Sequence, residues 1–185
     1  RSGPGEEPYP TLMGNAAVAE ITALDPDVVV VKGDLTAMGL AEEYEEFLSV
    51  YGRLGERMHH VRGNHDAIFD PTLARCDAPY VVALPGVTLA VLDTTVPAGV
   101  GGALPREQIE WLDEVAGASS SPVMVFAHHP PYDLETTFPV DERYVINRDD
   151  TVAPIAASDR SEAIAGYFAG HTHSNRVRRD NAREV

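Results

Sequence analysis

The 185-residue chain has one cysteine, Cys76, so no internal disulfide staples the fold and no oxidising compartment is implied. No apolar run approaches the roughly 20 residues that span a bilayer, and the opening RSGPGEEPYP does not read as a signal peptide. A cytoplasmic location is therefore expected. Basic residues are scarce: 14 Lys and Arg stand against 29 Asp and Glu, a net charge of −15. Extended nucleic-acid surfaces need clustered cations to displace phosphate counterions, so that partner class is disfavoured. Arg176, Arg178, Arg179 and Arg183 are a short exception. Repeats, low-complexity blocks and linkers are also missing. The hydrophobic fraction is 44% and the charged fraction 23%. Those values and the length fit one globular domain with its own core.

Helix-like and strand-like segments alternate along the chain. Leu12–Leu24 has Leu12, Ala16, Ala19, Ala23 and Leu24 at helical spacing, and Asp25-Pro26 ends it. The β-branched run at residues 27–32 predicts a strand buried on both faces. Leu40–Leu54 predicts an acidic amphipathic helix carrying Tyr44, Phe47, Leu48 and Tyr51. A strand follows at Arg57–Arg62, in which His59 and His60 are expected to pack. Tyr80–Leu84 and Val87–Leu92, joined by Pro85-Gly86, predict a hairpin. Pro105 opens a helix through Val115 with Ile109 and Leu112 facing inward. Strands at Val123–Ala127 and Gly166–Ala169 complete the pattern, with a long surface loop expected over Pro130–Asp150. The alternation indicates an α/β architecture.

Four of these strands end alike. They run into Gly33-Asp34, Gly63-Asn64-His65-Asp66, His128-His129-Pro130-Pro131 and Gly170-His171-Thr172-His173. Singly, each turn reads more readily as a helix cap, a plain turn, a proline-stopped strand exit or a solvated loop. Together, in this order and each at a strand end, they deliver an aspartate, an asparagine and several imidazoles to one rim, where α/β proteins bind ligands. The donor set suits a pair of cations: Asp34 can bridge two metals, imidazoles suit Zn, Fe, Mn or Ni, and an Asn carbonyl is a hard oxygen ligand. In an extended segment His171 and His173 would project to one side, offering an imidazole to each cation. The glycines before the ligands allow tight turns and close backbone approach.

Gly33-Asp34, Gly63-Asn64-His65-Asp66, His128-His129-Pro130 and Gly170-His171-Thr172-His173 resemble, in order and spacing, the motifs of the calcineurin-like metallophosphoesterase superfamily. The class containing cyclic-nucleotide and glycerophosphodiester phosphodiesterases is the most similar, through the Leu104-Pro105, Gln108 and Trp111-Leu112 segment. The resemblance implies a metallophosphoesterase-type β-sandwich flanked by helices in four α-β-β-α layers. It implies that Asp34 bridges two divalent or trivalent ions, that Asn64, His128 and His171 complete the second metal's shell, and that His173 binds the first. His65 would face the scissile phosphate as a catalytic acid, with Asp66 orienting it. His128 is preferred to His129 as the ligand because it precedes the x-Pro element; His129 then becomes a candidate substrate contact. Arg62 reads equally as a phosphate contact or a surface salt bridge. Tyr132 and the Asp133–Asp150 loop read equally as a pocket wall or a solvated loop, whereas Trp111 and Leu112 are expected to pack the helix on the sheet.

The family's D-x-H motif is absent, so the chain is expected to be a single partial domain over 1–185, starting just after that motif and stopping before the last strands of the sheet. The first metal would then keep Asp34 and His173. The implied activity is hydrolysis of a phosphodiester or phosphomonoester, with a small-molecule substrate, by a hydroxide bridging two ions such as Fe, Mn or Zn. The alternative is a non-catalytic scaffold of the same fold that binds partners.

Overall fold

A computed structural model describes residues 9–70, 72–74, 78–131, 143, 145, 146 and 163–173. Cys76, Tyr132, most of the Asp133–Asp150 loop, and Val177 with the four C-terminal arginines lie outside them. The elements run α1 (Tyr9–Leu24), β1 (Val29–Lys32), α2 (Ala41–Tyr51), β2 (Met58–Val61), β3 (Tyr80–Leu84), β4 (Val87–Val91), α3 (Arg106–Ala118), β5 (Val123–Phe126) and β6 (Ile164–Phe168). The mixed α/β architecture is as expected. The described strands form two sheets: β1 and β2 pair in parallel, and β3-β4-β5-β6 form a second sheet in that order.

In the second sheet β3 and β4 are the expected antiparallel hairpin, closed at Leu84↔Val87 with Gly86 at φ 81°. β4, β5 and β6 are parallel. α3 covers this sheet, and Leu112 and Ala116 join Ala90, Leu92, Leu104, Val123, Val125 and Ile164 in the main core. Trp111 packs against that core from its edge, so it is a structural residue.

The first sheet is thinner. α1 and α2 pack through Val18, Val50 and Leu54, with Ile21, Tyr51, Val29 and Met58 around them. Two expectations fail here. The α1 stripe counted from Leu12 faces solvent: Leu12 is 52% and Leu24 80% exposed, and Ala16, Ala19 and Ala23 are exposed as well. The helix is apolar on both faces, so periodicity does not choose between them. Contact does choose, because Gly14 lets α2 approach until an added Cβ would stand 3.0 Å from Val50. The second failure is β1, whose valines are only half-buried. Among the described residues its one paired neighbour is β2, and Lys32 at its end is exposed.

The two sheets meet at the carboxyl ends of their parallel strands. Lys32 Nζ donates to the Ala169 carbonyl at the end of β6 (2.6 Å). His128 Nδ1, after β5, donates to the Lys32 carbonyl at the end of β1 (2.7 Å). The Gly170 N–H donates to the His128 carbonyl (2.9 Å). The rim therefore draws on both sheets. No helix among the described residues is long and apolar enough to cross a membrane.

Candidate metal centre

The loops leaving β1 and β2 touch one another backbone to backbone. Gly33 has φ 84°, and a Cβ there would stand 2.5 Å from His128 Nδ1 and 2.8 Å from the Gly63 nitrogen. A Cβ on Gly63 would overlap the Asp34 carboxylate. Gly63→Ala is accordingly expected to displace Asp34. It should lower stability by about 1–3 kcal/mol, read as an earlier thermal midpoint, and weaken metal uptake in the same protein.

His128 is the hub of the site. Its ring is 1% exposed, and its Nε2 lies 3.1 Å from Asn64 Oδ1, 3.1 Å from His171 Nδ1 and 3.4 Å from Asp34 Oδ1. The tautomers follow from the other ring nitrogens. His128 Nδ1–H donates to the Lys32 carbonyl, and His171 Nε2–H donates to the Arg143 carbonyl (2.9 Å). In neutral rings, His128 Nε2 and His171 Nδ1 would therefore be the nitrogens free to ligate. Donor atoms sharing a cation at bonds of about 2.0–2.2 Å stand about 3.0 Å apart in octahedral geometry and about 3.4 Å apart in tetrahedral geometry. The three distances from His128 Nε2 fall in that range. Backbone carbonyls bound to the far side of metal-binding imidazoles are the usual means of fixing their orientation.

Electrostatics agree with the geometry. Burial pushes the Asp34 carboxyl up, but its contact with the His128 imidazole, together with the His65 N–H (3.1 Å), outweighs it and leaves the group below its ordinary range. Burial lowers the His171 imidazole, favouring the neutral form that can ligate; its bond to Arg143 opposes this and the His128 charge assists. Asp34, His171 and His173 all adopt left-handed backbone, at φ 54°, 65° and 49°. Such conformations are uncommon for residues other than glycine and concentrate at functional sites.

Other expectations change. The His171-Thr172-His173 segment is not extended, because both histidines turn through positive φ. His173 is exposed, and its charge reaches His171. Asp66 is fully buried, but its carboxylate does not serve His65. It accepts from Thr36 N and Oγ1 (both 2.8 Å), Leu35 N (3.2 Å) and Gly63 N (2.8 Å), tying the Asp34 loop to the Asn64 turn. His65 is exposed, and its Nδ1 instead meets the Ala37 carbonyl (2.6 Å).

Arg62 is 7% exposed, so its ion pair is not a surface bridge. Its guanidinium bonds Asp93 Oδ2 (2.9 Å) and Thr95 Oγ1 (2.8 Å). His129 is 0% exposed and fails as a substrate contact. Its Nε2–H donates to the Val100 carbonyl (3.1 Å) and its Nδ1 accepts from the Thr94 hydroxyl (2.9 Å). Burial lowers its pKa to about 3. His128, His129 and His171 place donor atoms within 4.8 Å of one another, but both His129 nitrogens are already engaged, so Asp34 and Asn64 are the better companions. His60 packs against Phe47 and Tyr44, as expected of a strand histidine.

The sequence reading missed Thr36, Asp93 and Thr94. Asp93-Thr94-Thr95 leaves β4 with the same strand-to-polar signature as the four turns that were counted, which is the signal that could have found it.

Residues 12–175 match the family model described as calcineurin-like phosphoesterase. A probable cyclic nucleotide phosphodiesterase of Synechococcus is 30% identical over 120 residues, covering 63% of this chain and 47% of that protein. The glycerophosphodiester phosphodiesterase GpdQ of Enterobacter lignolyticus is 28% identical, covering 87% of this chain and 62% of its own length. A cAMP/cGMP dual specificity phosphodiesterase of Mycobacterium tuberculosis is 26% identical, covering 82% and 50% respectively. The chain thus spans between 47% and 62% of the length of these relatives.

Proposed function

The chain belongs to the calcineurin-like phosphoesterase family, and from that premise we propose that it is the metal-dependent catalytic part of a phosphodiesterase acting on small phosphodiesters. One observation carries the reading: the convergence of Asp34, Asn64 and His171 on His128 Nε2 at 3.1–3.4 Å. Mixed oxygen and imidazole donors of this kind suit Mn, Fe or Zn. When bound, such ions supply a nucleophile at neutral pH and neutralise the phosphoryl oxygens.

The protein's residues set the remaining conditions. Asp34, held anionic, would serve both ions, with Asn64, His128 and His171 holding one and His173 the other. His65, exposed beside this cluster and oriented by the Ala37 carbonyl, protonates the departing oxygen. The diester preference comes from the relatives, whose names are those of cyclic nucleotide and glycerophosphodiester phosphodiesterases.

The test is turnover of bis-p-nitrophenyl phosphate by protein stripped with EDTA and then reloaded. Hydrolysis is expected only after Mn²⁺ or Zn²⁺ is restored, and more slowly on p-nitrophenyl phosphate. Equal rates with and without metal would overturn the reading.

A further inference from the structure

We propose that Asp93-Thr94-Thr95, the segment leaving β4, is a positioning latch that holds the ligands of the two sheets in register. The inference rests on reading the Asp34 cluster as a metal centre. Asn64 comes from the first sheet and His128 from the second, so their 3.1 Å separation depends on how the sheets are joined.

The latch grips a residue within two positions of a ligand in each sheet. Asp93 and Thr95 hold the Arg62 guanidinium, two positions before Asn64, in a largely buried ion pair. Thr94, 0% exposed, accepts from the His129 N–H (3.2 Å) and donates to His129 Nδ1, immediately after His128. Tyr167 adds a bond from β6 by donating to the His129 carbonyl (3.0 Å). The segment is itself fixed to α3, because Gln108 accepts from the Asp93 N–H (2.9 Å) and donates to the Asp93 carbonyl (2.6 Å). Asp93 Oδ1 also takes both the N–H and the hydroxyl of Thr95. A buried ion pair gives little net stability, since desolvation offsets its attraction; fixing one arrangement is its better-attested use.

The variants are Thr94→Val, which keeps the shape and removes the hydroxyl, Thr94→Ser, which keeps the hydroxyl, and Asp93→Asn, which keeps the size and removes the charge. Leu54→Ala is the control, placing a cavity in the Val18, Val50 and Leu54 cluster under α1 and α2, away from the site. Mn²⁺ affinity is read by equilibrium dialysis, and amide exchange at Gly63 and Gly170 is read in metal-free protein. Thr94→Val and Asp93→Asn are expected to weaken Mn²⁺ binding by about 10–100-fold, with Thr94→Ser within about threefold of the parent. Exchange at Gly63 and Gly170 should accelerate about tenfold or more in Thr94→Val while α1 and α2 amides keep their protection; Leu54→Ala should show the reverse.

The latch is overturned if Thr94→Val and Asp93→Asn bind Mn²⁺ like the parent, or if Leu54→Ala weakens binding as much as they do. Should Thr94→Val fail to fold, Asp93→Asn reads the same affinities and exchange rates. A parent protein that takes up no Mn²⁺ defeats the functional reading instead. The exchange rates then decide the latch alone, and unchanged values at Gly63 and Gly170 reject it.

Discussion

Replacing Asp34 with asparagine is expected to strip the protein of metal and to lower phosphodiester turnover by about a thousandfold or more. The figure corresponds to losing roughly 4 kcal/mol of the several that a metal centre contributes to the transition state. Asparagine is the informative choice because Asp34 sits at φ 54°, where Asn is tolerated and alanine adds strain. An Asn oxygen also still accepts the His65 N–H, which Asp34 Oδ1 takes at 3.1 Å. Backbone and loop contact survive, and what disappears is the negative charge and the capacity to serve two ions. Elemental analysis of the purified variant beside its turnover checks the claim. A variant that keeps full metal content and activity would remove Asp34 from the centre.

The candidate ligands were more legible than the way they are held. Gly33-Asp34, Gly63-Asn64, His128 and Gly170-His171 stand at strand ends, and strand ends were readable because short runs rich in apolar residues give way abruptly to polar turns, three of them opened by glycine. The hairpin was readable for the same reason, since Pro85-Gly86 separates two apolar runs. Periodicity misled at α1, where apolar residues on both faces leave the choice of buried face to Gly14 and the partner helix. It misled again at His171 and His173, where a spacing of two implies one face only if the chain is extended, and positive φ at both removes that condition. Asp66 is a third kind of case. A carboxylate next to a histidine invites the reading of a pair, but a buried carboxylate satisfies the N–H groups that fold against it, and those came from Leu35, Thr36 and Gly63. Arg62 and His129 were drawn toward Asp93 and Thr94, about 30 residues away in sequence. Such long-range polar partners leave no periodic trace in a single sequence.

His65→Ala is expected to separate catalysis from metal binding. The ring lies outside the four donors gathered at His128, and the contact His65 makes with Asp34 runs through its backbone N–H, which alanine retains. Metal content and affinity should therefore stay at the parent's level. Turnover should fall by about 10²–10⁴-fold, the range for losing a positioned proton donor. The deficit also has a shape. With the Nδ1–H committed to the Ala37 carbonyl at 2.6 Å, Nε2 is the nitrogen that gains and gives the proton, and its help matters most when the leaving oxygen is strongly basic. The loss should be small for p-nitrophenolate and large for an alkoxide such as the glycerol or ribose oxygen of a natural diester. Rates for a series of diesters with graded leaving groups, measured on metal-saturated protein, would show a steeper dependence in the variant than in the parent. A parallel loss of metal would instead make His65 part of the centre's structure, and an equal deficit for every leaving group would make it a stabiliser of phosphoryl charge.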